Sequence, residues 1–98
     1  MSDHALVLVV DDERYIVDLL TDLLQDEGYR VQRAYDGAAA LDVIERERPD
    51  LVVADVMMPR LDGLSLLNEI RERDANLPVI LMSAAVTPRD LSATFIPK

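Results

Sequence analysis

Short, uninterrupted apolar runs alternate with longer segments of helical periodicity along this chain, and few folds accept that pattern. ALVLVV, Ala5 to Val10, is a continuous β-branched run that suits a strand buried on both faces, as in a parallel sheet. ERYIVDLLTDLLQDEG then carries Ile16, Val17, Leu20, Leu23 and Leu24 at helical spacing, with acids and Gln on the other side. Gly28 supplies its C-terminal stop. YRVQRAY alternates as a strand with one less buried side, and Asp36 stands where it can cap a second helix, GAAALDVIERER, that ends before Pro49.

DLVVADV, Asp50 to Val56, is another apolar strand run, carrying an acid near its end. MMPRLDG is a loop, with Pro59 and Asp62-Gly63 as turn signals. LSLLNEIRERD carries Leu64, Leu67 and Ile70 on one helical stripe, and LPVILMSA is a further buried strand. In TPRDLSA, Thr87 is placed as N-cap, Pro88 at the first helical position and Asp90 three after the cap, the pattern of a short capped helix. TFIPK starts a last strand. The alternation βαβαβαβαβ argues for a parallel sheet with helices on both faces. Right-handed crossovers then bring the C-terminal end of every strand to one edge.

Composition narrows the function. The 98 residues make one domain without internal repeat or linker, and half of them are apolar, enough for one core despite the charge. With 19 acids against 10 bases the net charge is −9, which argues against direct binding of nucleic acid or an anionic membrane surface and suits cations or basic partner patches. Cysteine is absent, so thiolate metal sites and disulfides are excluded. No apolar run reaches membrane-spanning length, and MSDHAL lacks the basic-then-apolar order of a signal peptide, so a cytoplasmic protein is expected.

The chemistry concentrates at the strand ends. Asp11 and Asp12 follow the first strand, Asp55 lies near the end of the third, Ser83 ends the fourth and Lys98 lies at or after the fifth. Adjacent acids repel unless something cationic sits between them. Three carboxylates converging on one edge suit a hard divalent cation with oxygen ligands, Mg²⁺ above all. A carboxylate in such a setting is also a nucleophile able to form an aspartyl phosphate. Phosphoryl transfer needs positioning and positive charge, which Mg²⁺, an ammonium and a hydroxyl donor would supply. Taken singly, each residue has a plainer reading: Asp12 as a helix cap, Asp55 as a loop cap, Ser83 as a structural strand-end serine, Lys98 as a solvated terminal lysine. The set is more telling than its members because all fall at matching strand ends.

VLVVDDE, VVADVMMPRLDGLSLL, PVILMSA and FIPK together resemble the receiver domains of two-component response regulators, in order and spacing, over essentially the whole chain. The resemblance implies a flavodoxin-like, doubly wound, five-stranded parallel sheet of order 2-1-3-4-5. It implies Asp55 as the phospho-acceptor, taking phosphate from a phosphohistidine on a sensor histidine kinase or phosphotransfer protein. Asp12 becomes a direct Mg²⁺ ligand, Asp11 acts largely through metal-bound water, and Met57 lends its backbone carbonyl. Ser83 is the switch hydroxyl, Phe95 the aromatic switch residue, and Lys98 the phosphate-pairing lysine. Lys98 is the one lysine in a chain with nine arginines, consistent with a compact point charge there. Phosphorylation would shift the segment between Ser83 and Lys98 and change which partner, a second copy of the chain included, it holds.

Two departures from the family pattern shape expectation. Ser83 and Lys98 are 15 positions apart, shorter than the family interval by about seven residues, so a stunted fourth helix is expected. The sequence stops at Lys98, before the usual Pro and final helix, so residues 1–98 read as a C-terminally incomplete phospho-acceptor domain. Met57, and Ala85 two after Ser83, are apolar where some relatives carry water-orienting groups, so slow self-dephosphorylation is expected. Two other functions fit less well. A phosphatase or phosphomutase using an Asp nucleophile usually needs a second acid two positions on, where Met57 stands. A phosphorylation-independent interaction module that keeps the fold would not need the intact set of Asp11, Asp12, Asp55, Ser83 and Lys98, while the early stop at Lys98 speaks for it.

Overall fold

The computed structural model describes residues 4–58, 60–83 and 94–97. Five parallel strands, β1 (Leu6–Val10), β2 (Arg30–Ala34), β3 (Leu51–Asp55), β4 (Val79–Ser83) and β5 (Thr94–Pro97), form one sheet of order β2-β1-β3-β4-β5. Helices α1 (Arg14–Asp26), α2 (Gly37–Arg46) and α3 (Gly63–Arg73) link the first four. The short capped helix expected over TPRDLSA lies outside the described residues.

The apolar runs become strands because they are covered on both faces. Every residue of β1 is buried, and successive side chains alternate between two cores. Val7 and Val9 pack with Val17, Leu20 and Leu24 of α1. Leu8 and Val10 belong to the larger core with Val52, Ala54, Leu66, Ile70 and Leu81, beneath α2 and α3. Each fully buried Leu or Val contributes about 1.5–3 kcal/mol relative to exposure, so these strands cannot slip by one residue without turning both cores inside out. Asp50 fixes the opposite edge: its carboxylate accepts from the Leu6 N–H at 2.7 Å, and its own N–H donates to the Leu6 carbonyl at 2.7 Å.

Helix ends follow local chemistry. Gly28 adopts φ +93° after α1; its N–H donates to the Gln25 carbonyl, and the Tyr29 N–H reaches the Leu24 carbonyl. That doubled closure requires a left-handed residue, which glycine supplies without a Cβ clash. Asp36 caps α2 through the Ala39 N–H at 2.8 Å. Asp62, expected as a turn residue, caps α3 through the Ser65 N–H at 2.9 Å, with Gly63 as the first helical residue.

Helix α1 departs from expectation in phase. Leu23, expected inward, is 54% exposed, and Thr21 is buried in the inner row with Val17. Tyr15, Leu19 and Leu23 instead form an exposed stripe spaced by four along the outer face. Among the described residues no helix is long and apolar enough to cross a membrane.

Candidate metal centre

Sheet register brings the acids together. Val10 is registered with Ala54 across β1 and β3, so Asp11 and Asp55, the next residues, leave neighbouring strands at one level. Asp11 continues the β1 path, its N–H donating to the Ala34 carbonyl at 3.2 Å. Its carboxylate accepts from the Glu13 N–H at 2.9 Å, which turns the chain into α1. Asp11 is buried, Asp55 is 4% exposed, and Asp12 between Asp11 and the helix faces solvent.

Each of Asp11, Asp12 and Asp55 offers a carboxylate oxygen, and these oxygens lie within 4.8 Å of one another. At that separation like charges repel, least screened between the buried Asp11 and Asp55. That repulsion is offset when a divalent cation sits among the three charges. The donor set is all oxygen, anionic and hard, so it fits Mg²⁺ or Ca²⁺ and not a thiolate-seeking metal.

The loop after Asp55 is held from both sides. Val56 donates to the Met82 carbonyl at 3.0 Å, and its own carbonyl accepts from Gly63 at 2.9 Å. A Cβ on Gly63 would lie 2.4 Å from the Asp55 carbonyl oxygen, so α3 starts against the end of β3 only because residue 63 has no side chain. Gly37 plays the same part where α2 meets Leu61. Met57 donates its N–H to Asp55 Oδ1 at 3.3 Å, and its side chain stands in solvent.

The other expected residues divide into two groups. Ser83 ends β4 in register with Pro97, and Asp55 is in register with Met82, so Ser83 stands one step beyond Asp55 at the same sheet edge. Phe95 lies in β5, in register with Leu81. Lys98 lies outside the described residues. Sequence reasoning missed two tertiary contacts of the flanking segments. The Arg14 guanidinium lies over the Tyr35 ring, 4.1 Å from its centroid, worth about 0.5–1 kcal/mol at an exposed site. Arg60 adopts φ +70° within the loop and pairs with Asp36 at 3.4 Å, tying that loop to the cap of α2. Neither contact leaves a short-range sequence signal, since the partners are 21 and 24 positions apart.

Fold and centre together define a class: a doubly wound parallel sheet with an acidic centre where the neighbouring strands β1 and β3 end. The family model for the response regulator receiver domain matches residues 7–96, and the chain belongs to that family. It is a receiver domain of the two-component signalling type, as its motifs led one to expect. It is 46% identical over 78 residues to response regulator MprA of Mycobacterium avium, covering 80% of this chain and 34% of that protein. The chain thus spans about a third of the length of the curated relatives it matches. Among solved structures it is similar to response regulator TrrA of Thermotoga maritima in complex with Mg²⁺ and BeF, at 38% identity and TM-score 0.87, covering 96% of this chain and 86% of that one. It is also similar to the receiver domain of NtrX from Brucella abortus, at 38% identity and TM-score 0.84, covering 94% and 84%.

Proposed function

We propose that Asp55 accepts a phosphoryl group from a phosphohistidine on a sensor histidine kinase or phosphotransfer protein, in the cytoplasm. The convergence of the Asp11, Asp12 and Asp55 oxygens within 4.8 Å carries this reading. A similar protein, TrrA, is found with Mg²⁺ and BeF, which supports the choice of ion. Asp11, Asp12, Asp55 and the Met57 backbone carbonyl would hold Mg²⁺. Bound there, it supplies positive charge for the phosphoryl oxygens.

An Asp55 carboxylate oxygen attacks phosphorus; a P–O bond forms as the donor's P–N bond breaks, and the imidazole leaves with its electron pair. The Met57 N–H holds the Asp55 carboxylate in place through Oδ1. Ser83 and Lys98 take the roles of hydroxyl and ammonium partners of the phosphoryl oxygens, with Phe95 as the residue that moves with them. Both Ser83 and Phe95 sit on the β4–β5 pair of a five-stranded sheet, so satisfying the phosphate at Ser83 changes the surface that this edge offers a partner or a second copy.

The donor needs a docking face as well as a nucleophile. The outer stripe of α1, Tyr15, Leu19 and Leu23, begins three residues after Asp12 and runs between Asp18, Asp22 and Asp26. It suits an apolar helical face edged with basic residues.

Incubation with acetyl phosphate and Mg²⁺, read by intact mass, tests the phospho-acceptor. One added phosphoryl group, absent in Asp55→Asn and absent with chelator, is expected. A chain that gains none, or that gains it equally in Asp55→Asn, contradicts the reading.

A further inference from the structure

Among the described methionines, only Met57 presents its side chain to solvent. It is 75% exposed, whereas Met58 is 9% and Met82 5% exposed, both packed in the interior. Met57 is also tied to the centre, because its N–H donates to Asp55 Oδ1. We infer that Met57 is a site of reversible oxidation, at which a hydroperoxide converts the thioether to a sulfoxide and shortens the life of a phosphoryl group on Asp55. This rests on Asp55 being the phospho-acceptor.

The step balances with hydrogen peroxide as oxidant. The Met57 sulfur attacks one peroxide oxygen; an S–O bond forms and the O–O bond breaks. Sulfur gives up two electrons, the peroxide is reduced, and the departing hydroxide takes up the released proton as water. Sulfoxide reductases reverse the change. Exposure selects the residue: the oxidant reaches the Met57 sulfur from solvent, while Met58 lies in the larger core beside Leu66 and Ile70.

The consequence follows from what each side chain offers water. An aspartyl phosphate is lost when water attacks phosphorus opposite the carboxylate oxygen. A positioned acceptor speeds such a step by orienting that water and drawing off its proton. A thioether is a weak acceptor. A sulfoxide oxygen is a strong one, and it would arise two residues from the carboxylate. The main-chain tether to Asp55 involves no side-chain atom of Met57, so oxidation leaves it in place.

The test uses the full chain. It is treated with hydrogen peroxide, mapped by peptide mass, loaded from acetyl phosphate with Mg²⁺, freed of donor, and followed by intact mass. Expected are one added oxygen at Met57 ahead of Met58 and Met82, and a phosphoryl lifetime shortened several-fold. The treated-to-untreated ratio should return to one in Met57→Leu and after methionine sulfoxide reductase. An unchanged lifetime at full Met57 oxidation overturns the inference. So does earlier oxidation of Met58 or Met82, equal shortening in Met57→Leu, or loss of the far-ultraviolet circular dichroism on treatment. An untreated chain that takes no phosphoryl group fails the phospho-acceptor reading instead; a loaded chain indifferent to peroxide fails this inference alone.

Discussion

Asp55 lies one residue beyond Ala54, Asp11 one residue beyond Val10, and Val10 and Ala54 are registered partners in adjacent parallel strands. The two buried acids therefore face each other by sheet register, and the interlocked cores on both sheet faces enforce that register. The charge cluster is a product of the same packing that stabilises the fold.

The junction behind Asp55 tolerates no added atom. A Cβ at residue 63 would meet the Asp55 carbonyl oxygen at 2.4 Å and the Val56 Cα at 2.8 Å, both backbone. Gly63→Ala should destabilise by about 1–3 kcal/mol, the range for overpacking. Urea unfolding measures the loss, and acetyl phosphate loading should slow as Asp55 is displaced. Unchanged stability would mean that α3 docks differently.

Thr21 presents the opposite case. Its hydroxyl is buried beneath α1 and has no hydrogen-bond partner among the described residues. Thr21→Val keeps the shape and removes an unsatisfied polar group, so it should stabilise by about 1 kcal/mol or more. Thermal unfolding checks the sign; a lower midpoint would reveal a partner for that hydroxyl.

Acid should weaken the tie between Arg48 and Asp74. The Arg48 side chain and the Asn76 N–H both donate to the Asp74 carboxylate, and the Arg48 hydrogen bond is the main reason that its pKa lies below the ordinary 3.8. A carboxyl lowered on folding stabilises the native state above its unfolded pKa. That contribution fades as pH falls from about 3.8 towards the folded value. Asp74→Asn should therefore flatten the acid limb of the stability profile below pH 4 and leave its slope near neutrality unchanged. Parallel acid limbs in the two proteins would contradict the assignment.

The exposed stripe on α1 should matter to a protein donor and not to a small one. Leu19→Glu places a charge on a surface already acidic, so transfer from a phosphorylated histidine kinase should slow tenfold or more, about 1.4 kcal/mol of lost docking. Loading from acetyl phosphate serves as the comparison. Equal slowing with both donors would locate the defect in the centre, and no slowing with either would remove the stripe from recognition.

The sheet was legible because burial on both faces writes itself as unbroken apolar runs, at Ala5 to Val10 and Leu51 to Ala54. The acids were legible because Asp11, Asp12 and Asp55 end such runs, where a parallel sheet gathers its strand tips. The phase of α1 was not. Tyr15, Leu19 and Leu23 add apolar residues to its outer face, so spacing alone could not tell that Leu23 points out and Thr21 in. Asp62-Gly63 was ambiguous for a related reason: Asp before Gly serves a turn or a helix cap equally well, and only the approach of α3 to Asp55 decides. Arg60 in a left-handed conformation and Arg14 over Tyr35 depend on tertiary placement that no local pattern encodes.

Calorimetric titration with Mg²⁺ addresses the centre most directly. One ion per chain should bind, with affinity reduced at least tenfold in Asp12→Asn, while the metal-free variant melts higher because a repulsive charge is gone. Absence of any divalent binding, or binding untouched by Asp12→Asn, would contradict a metal centre built from Asp11, Asp12 and Asp55.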